Sequence, residues 1–288
     1  MAKVSIITAS FNYKHYIKET IESVINQTYS DWELLVVDDG STDNSLDVIN
    51  SYCQKDERIK LYQHEGGINK GLAETIKLGI SKVNSDWIIF LESDDSITSN
   101  YIEEKLKIIE KYPNVNLILN DINMFGDEDV IEEYTSYFKK QKRIFHKYKF
   151  PVAMLKPFRS THTNLIPTFS CVMVKKDVLD NIDFDSPIKK GLDYYLWLQV
   201  AKKGTFYYLD QKLTNWRMHK DSYVNADTIN KKAKLKYALK RQKFLYGKFS
   251  FIGKILLYLK YLRGSIIRIH IKKNRKEIIF LGKLFRIQ

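Results

Sequence analysis

Hydrophobic and polar positions change period repeatedly along the first 125 residues. Residues 4–9, VSIITA, form a short apolar run of strand length, and residues 15–29 then place Ile17, Ile21, Val24 and Ile25 at helical spacing. WELLVVDD predicts a second strand, followed by a helix over about 42–51 with Ser41 or Asp43 as its N-cap. Residues 59–64 predict a third strand and 68–83 a helix. DWIIFLE predicts a fourth strand, 99–112 a helix stopped by Pro113, and 114–125 a fifth strand. Strand and helix taking turns predicts a parallel sheet covered on both faces.

Beyond residue 126 the rhythm loosens. Residues 127–165 mix charge, aromatics, Pro151 and Pro157 and predict an insertion or loop region. PTFSCVMVKK predicts a strand. Residues 191–204 predict a helix with an apolar face of Leu192, Tyr195, Leu196 and Val200, and TFYYLD and TNWRMH predict two short strands. From about Asp227 the chain is basic with helical spacing.

Composition fits a globular chain of 288 residues, 44% hydrophobic, and excludes a disordered one. The N-terminus lacks a basic segment followed by a long apolar stretch, and no run of about 18 apolar residues occurs, so neither a signal peptide nor a spanning helix is expected. Cys53 and Cys171 have no metal or redox spacing. Two thiols suit a reducing compartment, with a disulfide between them as the alternative. The expected location is cytoplasmic. The formal net charge of +13 is uneven: residues 228–288 hold 18 Lys+Arg against one acid, Glu277, giving +17, and the other 227 residues total −4. A mildly acidic body thus carries a strongly basic tail.

The candidate chemistry lies in two acidic pairs, each directly after a predicted strand: Asp38–Asp39 and Asp94–Asp95, the latter with Glu92 beside it. In an open parallel sheet the carboxyl ends of the strands border the ligand crevice. Each pair could simply cap a turn, and DDGSTDNS suits that role. Two pairs at equivalent places favour a shared ligand. Carboxylates crowded this closely call for a cation, and hard oxygen donors with a diphosphate suit Mg²⁺ or Mn²⁺. A receiver domain would have its acidic pair after the first strand, and VSIITASFN has none. A nucleotidylyltransferase would have a glycine-rich basic loop there, and a glycosidase would space its carboxylates across a sugar.

These residues resemble a known family. VSIITASFNYKHYIKETIESVINQTYSDWELLVVDDGSTDNS is similar to the opening of the family 2 glycosyltransferases, and DWIIFLESDDSITSNYIEEKL to their DXD region. GLDYYLWLQVAKKG is similar to their acidic motif before an apolar helix, and WRMHKDSYV to their Arg-x-His segment. The resemblance covers about 3–125 strongly and 166–224 moderately. It implies a GT-A fold, a Rossmann-like mostly parallel sheet flanked by helices, over 1–226. It further implies inverting transfer from a nucleotide diphosphate sugar, UDP in the simplest case, assisted by Mn²⁺ or Mg²⁺. Position by position, Ser10, Phe11 and Asn12 would lie at the base, with Phe11 stacked on it, and Asp39 would accept the uracil N3–H. Asp94 would lie at the ribose or diphosphate and beside the metal, Asp95 would ligate the metal, Asp193 would be the general base, and His219 would lie near the diphosphate or metal.

Three departures stand out. Leu192 occupies the place of the Glu that often precedes the catalytic Asp, Glu92 stands where Asp is frequent, and Ile76 lies near the position of a common Arg. Bland alternatives remain for each residue: a helix cap for Asp193, packing beside Trp216 for His219, and core for Phe11. A non-catalytic scaffold of this fold is the competing function.

In the tail, residues 248–270 laid on a helical wheel place Phe251, Ile252, Ile255, Leu259, Leu262, Ile266 and Ile269 on one side, with Lys254, Lys260, Arg263 and Arg268 mainly opposite. A basic amphipathic helical extension over 227–288 suits an anionic membrane surface. Packing on the body or on a second copy in a homodimer competes with it. Nucleic acid lacks a supporting motif. A glycan or lipid-linked glycan acceptor follows from the membrane reading, within a bacterial surface-polysaccharide pathway.

Overall fold

The computed structural model describes residues 4–132, 134–135, 152–153, 166–184, 191–219, 267–272, 275–280 and 283–287. The chain divides into two compact units, Met1–Asp185 with Leu192–Asn225, and Ser186–Gly191 with Ala226–Gln288. In the first unit the elements run β1 (Val4–Ser10), α1 (Ile17–Ile25), β2 (Trp32–Asp38), α2 (Ser45–Cys53), β3 (Ile59–Gln63), α3 (Leu72–Lys82), β4 (Trp87–Phe90), β5 (Ser96–Ile97) and α4 (Tyr101–Lys111). They continue through β6 (Leu117–Gly126), β7 (Val152–Ala153), β8 (Val172–Lys175), α5 (Leu192–Val200) and β9 (Thr205–Met218).

The sheet order is β3-β2-β1-β4-β8-β6-β9-β5, with β7 also on β9. Strands β1 to β4 are parallel to their neighbours in that set, and β6 is parallel to β9. This is an α/β fold with a mostly parallel central sheet flanked by helices. Nearly every residue of β1 and β2 is buried, which explains why both read as largely apolar runs rather than as alternating ones. On one face Ile17, Ile21 and Val24 of α1 and Tyr101, Ile102 and Leu106 of α4 join Ile6, Leu34 and Ile89 in a single core. On the other, α3 lies so close that a Cβ on Gly79 would stand 2.6 Å from the Ile7 side chain. Only glycine fits that contact.

Several expectations change. The α2 helix starts at Ser45, behind Asn44 at φ 66°, because Asp43 turns back to accept hydrogen bonds from the Ser45 N–H (3.1 Å) and the Lys14 N–H (3.0 Å). The fifth strand is not the neighbour of the fourth: β8 lies between β4 and β6, antiparallel to both. TFYYLD and TNWRMH form one strand, β9, and the polar residues between them are a bulge where the register against β6 shifts around Asp121. The α5 helix is buried on every side except at Asp193, so it has no single apolar face. Both cysteines are free.

In the second unit, β10 (Ile267–Lys272), β11 (Arg275–Phe280) and β12 (Lys283–Ile287) form a three-stranded antiparallel sheet. The helix expected over 248–270 thus does not extend beyond residue 266. IRIHIK alternates a β-branched residue with a polar one, the period of a strand. Residues 220–266 lie outside the described ones.

One buried lysine shapes the first unit. Lys105 of α4 is fully buried, and its Nζ donates to the carbonyl of Cys171 (2.8 Å), the hydroxyl of Tyr101 (2.8 Å) and the carbonyl of Ile118 (3.3 Å). Burial holds its pKa well below the usual lysine range. Between that value and the unfolded value of about 10.4 the unfolded chain binds the extra proton, so stability rises with pH in this window. Against Lys105→Met, the wild type is therefore expected to gain up to about 1.4 kcal/mol per pH unit as pH climbs through this window. Urea midpoints of both proteins at two pH values read this. A constant difference would show that Lys105 stays fully charged in the fold.

Candidate active site

The carboxyl ends of β1, β2 and β4 carry the expected residues, in two groups. The first surrounds the turns after β1 and β2. Asp38 caps its own turn, accepting the N–H groups of Gly40 (3.1 Å) and Ser41 (2.9 Å). Asp39 is buried; its N–H donates to the Ser10 carbonyl (2.8 Å), and its two carboxylate oxygens accept the N–H groups of Lys70 (2.7 Å) and Gly71 (2.9 Å). Asp39 therefore ties the 64–71 loop to the turn after β2. At Gly40 (φ 79°) a Cβ would lie 2.7 Å from the Gly67 carbonyl, so these two turns touch backbone to backbone. His64 is a strand-end residue, its Nε2 3.1 Å from Thr75 Oγ1 and 3.5 Å from Asp39.

In the same group, Asn12 stands at φ 58°; its N–H donates to Ser41 Oγ (2.9 Å) and its Oδ1 accepts the Thr42 N–H (2.8 Å). This holds Phe11 outward, 43% exposed, rather than in the core. Ser10 is buried, with no partner for its hydroxyl among the described residues.

The second group forms around the acidic turn after β4. Asp95 is buried; its Oδ2 accepts from Ser170 Oγ (2.6 Å) and lies 3.3 Å from Thr168 Oγ1, and its Oδ1 accepts the Arg217 N–H (2.9 Å). The residue expected as the chief metal ligand thus already accepts hydrogen bonds on both oxygens. Asp94 points elsewhere: its Oδ2 lies 3.0 Å from His219 Nε2. The Arg217 side chain braces the turn, donating from Nε to the Asp94 carbonyl (2.9 Å) and pairing with Glu19 of α1. Glu92, which the sequence left without a role, accepts a hydrogen bond from Thr168 Oγ1 and donates its N–H to Ser170 Oγ (3.0 Å).

Electrostatics tie this group together. Burial pushes the Glu92 carboxyl well above the usual carboxylate range, and the charges of Asp94 and then Asp193 push it further. Burial, then the charges of Asp94 and Glu92, does the same to Asp95. Asp193, in the first turn of α5, is therefore within electrostatic reach of a turn a hundred residues earlier in the chain. Tyr13 and Tyr16 face the group from the β1–α1 loop, their rings 6.3 Å and 5.1 Å from the His219 ring.

Thr168, Ser170 and Arg217 were not assigned roles from the sequence. The available signal was hydroxyls on either side of Phe169 after Pro167, a turn-forming composition that the apolar residues following it masked. The segment is a 3-10 turn at Phe169–Cys171, not the start of a strand.

The model of glycosyl transferase family 2 matches residues 5–182. The chain belongs to that family. This family 2 glycosyltransferase is 30% identical over 224 residues to a Rickettsia felis protein named an uncharacterized glycosyltransferase, covering 75% of this chain and 33% of that one. It therefore spans about a third of the length of that relative. It is also 29% identical over 201 residues to WfgD of Escherichia coli, named a UDP-Glc:alpha-D-GlcNAc-diphosphoundecaprenol beta-1,3-glucosyltransferase, covering 69% of this chain and 70% of WfgD. Among solved structures, residues 1–349 of S. aureus TarS in complex with UDP-GlcNAc superpose with a TM-score of 0.65 at 16% identity, covering 91% of this chain and 74% of that one. The mannosyltransferase PcManGT of Pyrobaculum calidifontis, in complex with GDP-Man and Mn2+, superposes with a TM-score of 0.60 at 13% identity, covering 90% and 69%. The family 2 glycosyltransferase thus has the GT-A fold.

Proposed function

We propose that this protein transfers a hexosyl or N-acetylhexosaminyl group, with inversion, from a UDP-sugar to a hydroxyl of a lipid-linked glycan in the assembly of a bacterial surface polysaccharide. The observation that supports it most is the pairing of Asp94 with His219 at the acidic turn, where the charge of Asp193 also acts on Glu92. Asp193 takes the proton of the acceptor hydroxyl as its oxygen bonds to C1 of the sugar and the bond from C1 to the diphosphate breaks, releasing UDP. Attack from the face opposite the departing diphosphate inverts the anomeric carbon.

Among the described residues, no group of three or more His, Cys, Asp or Glu gathers as a metal centre. A carboxylate and an imidazole 3.0 Å apart nonetheless suit Mn²⁺ or Mg²⁺ in a site where diphosphate oxygens and water complete the shell. We therefore assign Asp94 and His219 to the metal, and give Asp95 the task of holding the turn. The bound ion would stabilise the charge on the departing diphosphate.

WfgD, by its name, uses a lipid diphosphate acceptor, and the basic tail suits an anionic membrane surface, which together favour a lipid-linked acceptor. No helix among the described residues is long and apolar enough to cross a membrane. A donor panel of UDP-sugars and GDP-Man with Mn²⁺ or Mg²⁺ tests the proposal. Release of UDP is expected from one UDP-sugar, stimulated by a polyprenyl-diphosphate glycan; silence with every donor and metal would sink it. Sedimentation with anionic vesicles reads the membrane part separately, and equal recovery with neutral vesicles counts against it.

A further inference from the structure

We propose that Tyr13 is a donor-binding residue whose hydroxyl donates a hydrogen bond to the diphosphate of the bound nucleotide sugar. This rests on the reading of the site as one for a nucleotide diphosphate.

The Tyr13 backbone is held from both sides. Its N–H donates to Ser45 Oγ (3.1 Å), and its carbonyl accepts the N–H groups of Tyr16 (2.9 Å) and Ile17 (3.0 Å) at the start of α1. Its ring stands edge-on to the His219 ring at 75°, and 5.8 Å from the ring of Tyr16. The imidazole it touches is the one that meets Asp94. The half-buried ring thus lies against the imidazole that pairs with Asp94, and the charges of Asp94 and Glu92 act on its phenol. Among the described residues that hydroxyl has no hydrogen-bond partner.

Three other donors near the acidic turn are already engaged. Arg217 uses its guanidinium on Glu19 and on the Asp94 carbonyl, and Ser170 and Thr168 use their hydroxyls on Asp95 and Glu92. The Ser10 hydroxyl is also unpartnered, but only 1% of that residue is exposed. Tyr13 thus offers an unspent neutral donor on a fixed backbone where carboxylates would otherwise repel an anion. A diphosphate is the group that uses it, since a hydrogen bond to a charged acceptor is roughly twice as strong as one to a neutral acceptor.

The test compares wild type and Tyr13→Phe, which keeps the ring and its contacts, by calorimetry in Mn²⁺ with UDP and with uridine, substituting GDP and guanosine if only GDP binds. A roughly 10-fold or greater loss of diphosphate affinity is expected, with nucleoside affinity and melting temperature unchanged. Unchanged diphosphate affinity overturns the assignment of Tyr13 alone. An equal loss for diphosphate and nucleoside also overturns it, because the ring rather than the hydroxyl would then matter. Failure of the wild type to bind either diphosphate defeats the proposed function, and this inference with it.

Discussion

Asp193→Asn is expected to lower sugar transfer by about 10²–10⁴-fold while leaving UDP affinity within about twofold. The substitution keeps the shape of the side chain in the first turn of α5 and removes only the group that takes a proton. Because α5 is buried all round apart from this residue, the rest of the helix has no reason to move. The checks are single-turnover transfer with the donor found in the panel and calorimetry with UDP. Loss of UDP binding would show that Asp193 holds the donor rather than activating the acceptor. Full turnover would remove it from the mechanism. Asp193 also adds to the burial and the Asp94 charge that raise the Glu92 carboxyl, so removing its charge should make Glu92 easier to ionise.

Asp94→Ala is expected to abolish metal-dependent transfer and to erase the gain in UDP affinity that Mn²⁺ gives the wild type. Asp94 Oδ2 and His219 Nε2 face each other at 3.0 Å, and losing the carboxylate leaves one protein donor. Losing a first ligand should cost at least as much as losing an outer partner, for which about 10–100-fold in metal affinity is usual. The measurement is UDP binding with and without Mn²⁺, with chelator added back to the wild type as the reference. If Asp95→Asn mimics the chelated wild type and Asp94→Ala does not, the metal belongs on Asp95. On the present geometry Asp95→Asn should instead weaken the fold, because its amide would set N–H donors against the Arg217 N–H or the Ser170 hydroxyl.

The half of the chain before residue 126 was legible for a physical reason. Strands β1, β2 and β4 are buried on both faces, so each is a largely apolar run, and α1 and α4 cover them with single faces at helical spacing. Neighbour order was not legible. Nothing in the period of VMVK says that it lies between β4 and β6 or that it runs antiparallel. A bulge and a chain break look alike in sequence, which split β9 into two strands. Asp39, Asp94, Asp95 and Asp193 were picked out as candidates by type and place, but the different directions taken by Asp94 and Asp95 were not legible. Adjacent carboxylates at the end of a strand point in different directions, and only Ser170, Thr168 and Arg217 show which one turns inward.

The position of β8 bears on modularity. Every turn in the first group, and the acidic turn itself, is encoded before Gly126, which makes that stretch look like a cassette for nucleotide binding. Yet among the described residues β4 pairs only with β1 and β8, and β6 only with β8 and β9. A chain cut at Gly126 would leave β4 with an open edge and β6 with no neighbour in the sheet. On the ribosome, too, β6 emerges well before the strand that attaches it. A crossover between homologues at residue 126 would therefore divide the β4–β8, β6–β8 and β6–β9 pairings between the two parents.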